Sequence, residues 1–357
     1  MKRLKTVLAL CAVASTAAFA QTSFTLTGNI PEEHNGKTVY LVLLDGREKI
    51  DSTVVTSGKV SLKANLDTDA RPGALMIDGR RRANFIIENG AAVINEDGVV
   101  SGTPLNDISE ATAKKVDDAY TRYKNEYRAV MTDTTLTDEA KKNLLEVKYE
   151  EVIGQLDTII LNVYQENKTN PVGYMFFSQL AEGMTIAEID SLLDGAAQWI
   201  KDSKMVGNIK HIAQNLEITA EGKMFTDFAV KMSNGKTVRL SDYVGKGDYV
   251  VLDFFASWCG PCMREMPTIR AIYYKYEGKG LKVIGLAVWD DPADTRRCVE
   301  EKQLPWTIID NAQEVPGDIY GVQGIPHLII FAPDGTIHKR GLRGDELIAE
   351  IDRLMNK

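Results

Sequence analysis

The sequence has few cysteines, no strong basic cluster and no long apolar run beyond its first residues. Four cysteines in 357 residues cannot supply the dense disulfide framework of a small secreted scaffold. Only one Cys-x-x-Cys pair occurs, and no Cys/His cluster completes the four-ligand set of a structural zinc site. Arg80-Arg81-Arg82 is the single basic run and reads as a solvated turn, while the formal net charge is −8. Such a chain is a poor partner for nucleic acid or anionic lipid. Outside the N-terminus no segment is apolar enough to span a bilayer. Internal repeats and low-complexity tracts are also missing.

What is present begins with a leader. Lys2, Arg3 and Lys5 are followed by the apolar stretch Val7–Ala14 and by Ala18-Phe19-Ala20, the small-residue pattern of a signal peptidase site. Cys11 is preceded by bulky Leu10, unlike a lipoprotein acceptor. A signal peptide over 1–20, cleaved after Ala20, is therefore expected. Its loss removes three positive charges and takes the formal net charge from −8 to −11. Export to the periplasm or cell envelope of a bacterium follows, and the product is expected not to span the membrane.

Residues 21–103 contain short β-prone runs, including Val39–Leu43 and Val60–Ala64, separated by turn pairs such as Asp45-Gly46, Ser57-Gly58 and Asn89-Gly90. That spacing predicts an all-β sandwich or barrel. Residues 104–217 change to helix-period sequence. The expected helices are Leu105–Val130, Asp138–Asn167, Val172–Glu182, Ile186–Ile200 and Ser203–Asn215, with capping starts at Thr137, Thr185 and Ser203. Their tyrosines (Tyr120, Tyr123, Tyr127, Tyr149, Tyr164) fit the core and rim of a helical subdomain, or a partner-binding face. From residue 218 to 357 strands and helices alternate, as in an α/β domain with a mixed sheet.

The strongest chemical signal lies in that last part. Val250–Phe255 is an apolar run of strand length, broken by Trp258-Cys259-Gly260-Pro261-Cys262 and followed by helix-compatible sequence. At a helix start, free N–H groups and the macrodipole favour negative charge, so a thiol placed there ionises readily. Pro261 falls near the first helical position, where its missing N–H costs nothing. Cys259 is thus expected to be the exposed nucleophile and Cys262 the more buried resolving thiol. Covalent haem attachment is excluded because position 263 is Met instead of His. An inert structural disulfide is the competing reading of the pair.

Asp253-Phe-Phe-Ala-Ser-Trp-Cys-Gly-Pro-Cys262 resembles the active-site segment of thioredoxin, and residues from about 222 onward resemble the TlpA/ResA group of extracytoplasmic thioredoxin-like proteins. Pro267 stands where thioredoxins carry a helix-kinking proline, and Gly321-Val-Gln-Gly-Ile-Pro326 is similar to the segment holding a cis-proline. Gly222–Phe228 and Gly235–Asp242 resemble a TlpA-type lead-in hairpin. The first region, through Ser101-Gly-Thr-Pro-Leu-Asn106, resembles β-domains that precede such domains in exported bacterial proteins; that likeness carries architecture and no activity.

The resemblance implies a thioredoxin fold over 218–357 and a redox-active disulfide Cys259–Cys262 needing no metal or organic cofactor. It implies a catalytic site of Cys259, Cys262, Asp253 and Pro326. Trp258, Gly260, Pro261, Pro267 and Ile325 support them, Ile325 by offering its backbone to a substrate chain. Asp253 reads either as proton acceptor from Cys262 or as a satisfied strand residue, and Trp258 is expected to shield the cysteine loop. His327 either tunes the thiols or points elsewhere. Cys298, with Thr295 and Val299 on an apolar helix side, reads as a buried free thiol. Peroxidase chemistry is excluded by spacing: Leu252 stands where a proline is needed and Ser257 is off register. The expected function is reduction of protein disulfides, with a membrane partner as electron donor. The alternatives are a reductase dedicated to apocytochrome c cysteines and a non-catalytic envelope binding protein. An insulin-reduction assay with Cys259→Ser separates the enzymes from the binder.

Overall fold

The computed structural model describes residues 22–66 and 68–356, so the expected signal peptide lies outside the described residues. The chain divides into two compact units, one running to Leu180 with Gly195–Lys204, the other made of Ala181–Asp194 and Met205–Lys357.

The first unit opens with β1 (Thr22–Asn29), β2 (Thr38–Leu43), β3 (Lys49–Val54), β4 (Lys59–Leu66), β5 (Arg71–Ile77), β6 (Arg80–Ile87), β7 (Gly90–Ile94) and β8 (Val100–Ser101). They form two four-stranded sheets, ordered β4-β1-β7-β8 and β3-β2-β5-β6. In β4 the alternation is strict: Val60, Leu62, Ala64 and Leu66 are buried while the lysines and polar residues between them are exposed. Phe24, Leu26 and Leu62 of one sheet share a single apolar cluster with Val39, Leu41, Leu75 and Phe85 of the other. Three helices follow: α1 (Pro104–Thr132), α2 (Asp138–Asn167) and α3 (Pro171–Leu180). The start of α1 is fixed by two buried side chains. Glu88 Oε1 accepts from the Leu105 and Asn106 N–H groups, and the Asn106 amide exchanges hydrogen bonds with the Ile86 backbone.

The stretch expected as one helix, Ile186–Ile200, is two: α4 (Ile186–Leu192) and α5 (Gln198–Lys201). Gly195 between them takes a left-handed φ of 70°, which ends a helix at no steric cost. Thr185 and Glu188 form a reciprocal capping box at the start of α4. Next comes α6 (Lys204–Ile218).

The second unit continues with β9 (Ala229–Lys231) and β10 (Thr237–Arg239), an antiparallel pair. The remaining elements are β11 (Tyr249–Phe255), α7 (Gly260–Tyr276), β12 (Leu281–Ala287), α8 (Pro292–Lys302), β13 (Thr307–Ile309), α9 (Val315–Tyr320), β14 (His327–Phe331), β15 (Ile337–Arg340) and α10 (Gly344–Met355). A five-stranded mixed sheet results, ordered β13-β12-β11-β14-β15, with β11 parallel to β12 and antiparallel to β14. This is a thioredoxin-like fold, preceded in the chain by a strand-rich region and a helical one. The central strand β11 is buried on both faces. Val251 and Phe255 join the cluster that holds α7 and α10, while Val250, Leu252 and Phe254 join the opposite cluster with Tyr320 and Val322. By that alternation Asp253 falls on the α7 face, within the domain core.

Candidate active site

Chain reversal after β11 creates the site. Ala256–Trp258 form the turn, Cys259 caps the N-terminus of α7, and the Cys262 N–H donates to Cys259 Sγ at 3.1 Å. Pro261 lies in the first turn and Pro267 inside the helix. Cys259 and Cys262 are joined in a disulfide with S–S 1.97 Å. Both are buried, at 3% and 2% exposure, so the expected contrast between an exposed and a buried thiol is absent. The bond draws both sulfurs into the cluster containing Ala256, Met266 and Ile269. Gly260 and Pro261 are exposed at the surface of the turn.

Trp258 corrects a second expectation. It is 62% exposed and shields little; its indole N–H donates to the Trp289 carbonyl at 2.9 Å, which leaves most of the ring on the surface. Trp289 itself holds a left-handed φ of 52°, an unusual backbone for a bulky residue. The next residue, Asp290, was not foreseen. Its buried carboxylate accepts from Ser257 N, Ser257 Oγ and Thr295 Oγ1, each at 2.8 Å, tying the cysteine turn to the first turn of α8. The only trace in sequence was an acidic pair at the end of an apolar strand, where Asp291 makes the α8 cap.

Asp253 is 2% exposed, and its Oδ1 has no hydrogen-bond partner among the described residues. Burial, with the nearby Glu265 charge adding to it, pushes its carboxyl up to about 7. Glu265, on α7, also accepts from the Gly344 N–H at 2.8 Å. The sequence reading overlooked Glu265, which as an acidic helix residue looked like one of many surface charges.

Across the sheet, β14 enters beside β11 with His327 opposite Phe254. The Ile325–Pro326 peptide is cis, and Ile325 packs against the cluster that contains both cysteines. The Pro326 carbonyl accepts from Arg343 Nη2. His327 contacts Arg340 at 3.4 Å and stacks edge-on with Phe254. Burial, reinforced by Arg340 and Arg343, depresses its imidazole to about 4, so it is neutral at ordinary pH. Cys298 is a buried free thiol, 3.8 Å from Met263 Sδ. Its thiol is raised by burial, the opposite of an activated one. No group of three or more His, Cys, Asp or Glu side chains among the described residues could hold a metal ion.

A thioredoxin-like fold with a Cys-x-x-Cys disulfide at the start of its first major helix defines a thiol–disulfide oxidoreductase. Comparison with known proteins points the same way. Residues 222–340 match the AhpC/TSA family and residues 24–108 match a domain of unknown function, DUF4369. The thiol-disulfide oxidoreductase ResA of Bacillus thuringiensis subsp. konkukian is 30% identical over 137 residues, which cover 38% of this chain and 77% of that protein. ResA of Bacillus anthracis is 31% identical over the same length and shares. Among solved structures, the thioredoxin domain of a Bacteroides vulgatus thiol-disulfide oxidoreductase is 26% identical, with a TM-score of 0.34, covering 38% of this chain and 99% of that one. A thiol:disulfide interchange protein from Bacteroides sp. is 28% identical, with a TM-score of 0.36, covering 39% of this chain and 91% of that one. The chain belongs to the ResA-like thiol–disulfide oxidoreductases.

Proposed function

We propose that this oxidoreductase is an exported reductase of protein disulfides. A Cys259 thiolate attacks one sulfur of the substrate disulfide, forming a mixed disulfide and releasing the other sulfur as a thiolate that takes up a proton. Cys262 passes its proton to Asp253 and attacks Cys259 Sγ. The second substrate thiol leaves, and the Cys259–Cys262 disulfide remains for an electron donor to reduce. The observation that carries this assignment is Asp253, a carboxyl whose Oδ1 has no partner among the described residues, buried on the cysteine face of β11 and raised by burial to about 7. A group poised there can take a proton and return it within one cycle. The substrate chain is placed along Ile325 and Pro326, next to the cysteines. Trp258, exposed beside them, offers an aromatic surface to the same chain.

The compartment is the periplasm or cell envelope, reached by the leader ending at Ala20, and the donor is a membrane protein. Haem-binding cysteines of apocytochrome c are a narrower substrate class within the same chemistry. The N-terminal region (21–103) is taken as a β-sandwich domain, since its two sheets share one core. Residues 104–217 form the helical region and 218–357 the thioredoxin-like domain.

Insulin reduction tests the reading. Wild-type protein should turn over with dithiothreitol as donor, and Cys259→Ser should abolish turnover. Cys262→Ser should accumulate mixed disulfides with envelope proteins. Wild-type turnover no faster than that of Cys259→Ser would refute the reading.

A further inference from the structure

The Tyr320–His327 segment is held directly by Arg340 of β15 and, through α9 just before it, by α6, which lies outside the AhpC/TSA match. Helix α6 ends before residue 222, where that match begins, yet residues 205–218 belong to the same compact unit. Asn215, only 5% exposed, spends its amide on the Gly317 and Asp318 carbonyls at 3.3 and 2.7 Å. Immediately after α9, Gly321 adopts a left-handed φ of 63°. A Cβ there would lie 2.6 Å from Leu216 Cγ and 3.0 Å from the Ile212 carbonyl oxygen. The backbone therefore sits directly on α6, closer than any side chain permits.

Arg340 completes the contact from β15. Its Nη1 donates to the Thr219 carbonyl and Oγ1, both at 3.0 Å, just beyond the α6 C-terminus. Its Nη2 donates to the Tyr320 carbonyl at 2.7 Å and approaches His327 Nε2 at 3.4 Å. One rigid guanidinium thus joins α6, the start of the segment and its last residue. None of these acceptors is a carboxylate, since Glu221 accepts from the Arg340 backbone N–H instead, and the Arg340 side chain is half-buried. A cation kept in such a place is spent on geometry more than on ion pairing.

We propose that Asn215 and Arg340 are positioning residues for the Tyr320–His327 segment, which receives the substrate polypeptide beside Cys259, and that α6 is a working part of the oxidoreductase unit. The proposal rests on the reductase reading above. A polypeptide that pairs along Ile325 needs that backbone fixed in advance, because a displacement of about 1 Å at a reacting pair can cost up to about a hundredfold in rate. A small aromatic disulfide needs only the cysteine turn.

The test uses the full chain carrying Asn215→Ala, Arg340→Gln or the milder Arg340→Lys. For each, kcat and KM are measured on insulin and on 5,5′-dithiobis(2-nitrobenzoic acid), and amide hydrogen exchange is followed over 320–327. The expected result is a loss of about tenfold in kcat/KM on insulin, no more than about twofold on the small disulfide, and faster exchange over 320–327. Arg340→Lys should fall between Arg340→Gln and wild type. Unchanged exchange in a folded Arg340→Gln protein, or parallel losses on both substrates, would overturn the proposal. If wild-type protein reduces neither substrate, the reductase reading fails, while exchange still decides whether the segment is held by these residues.

Discussion

Asp253 is where sequence and structure meet most closely at the scale of single residues. An ionisable side chain inside the apolar run Val250–Phe255 was visible as an exception before any coordinates, and burial turns that exception into chemistry. The same burial makes a stability prediction. Because its folded pKa lies above the unfolded value of 3.8, the neutral carboxyl favours the folded state fully below about pH 4. That contribution declines as pH rises towards about 7 and is gone above it. The difference corresponds to about 4 kcal/mol of stability lost across that window. Asp253→Asn, which cannot ionise, should flatten this dependence and be the more stable protein at pH 8, as denaturant unfolding of the oxidised form would record. It should also slow release of mixed disulfides more than their formation, since only the second step needs the proton acceptor. Equal rates for both steps in the variant would leave Asp253 a structural residue. What the sequence hid at this scale is Asp290 and Glu265, because their roles depend on partners 33 and 79 residues away.

At the scale of elements, legibility followed length and period. The strand-rich character of the first region and the long helices α1 and α2 were readable, because alternation and helical spacing persist over many residues. Short elements were not: β8, β13, β15 and α9 have two to six residues each, too few to show a period. The split between α4 and α5 was missed because Gly195 signals a left-handed turn only through its backbone angle. The segment Ser101–Asn106, singled out by resemblance alone, has a physical explanation in the joint from β8 to α1. Asn106 is fully buried and satisfied on both sides by Ile86, Thr103 and Glu88. Asn106→Ala leaves the Ile86 N–H and carbonyl without their partner. The expected cost is about 2–3 kcal/mol in chemical denaturation, with redox turnover retained. On α8, Cys298→Ser should leave insulin reduction intact, because a thiol raised by burial and facing Met263 is a poor nucleophile. Loss of turnover with the fold preserved would make Cys298 a third redox participant.

For the molecule as a whole, the open quantity is the direction in which electrons run. It is set by how strongly the reduced form is stabilised relative to the disulfide. A very low thiol pKa makes a strong oxidant, near −120 mV, whereas thioredoxin lies at about −270 mV. The stabilisers available to Cys259 are the free N–H groups and dipole at the start of α7. The residues between the cysteines are Gly260 and Pro261, which supply no charge, and the molecule carries a net negative charge that opposes thiolate formation. His327, opposite Phe254 near the end of β11, is held neutral and adds no positive field. Asp253 and Glu265, the acids on the cysteine face, work against a second negative charge there. From these balances the prediction is a reducing potential: equilibration against a dithiol buffer at pH 7 should give a value within a few tens of millivolts of thioredoxin's, about −270 mV. A value above about −180 mV, in the range of disulfide isomerase, would overturn the reductase reading. The same titration carried out on Asp253→Asn should move the potential upward, because removing an acid beside the thiols makes their ionised, reduced form easier to reach.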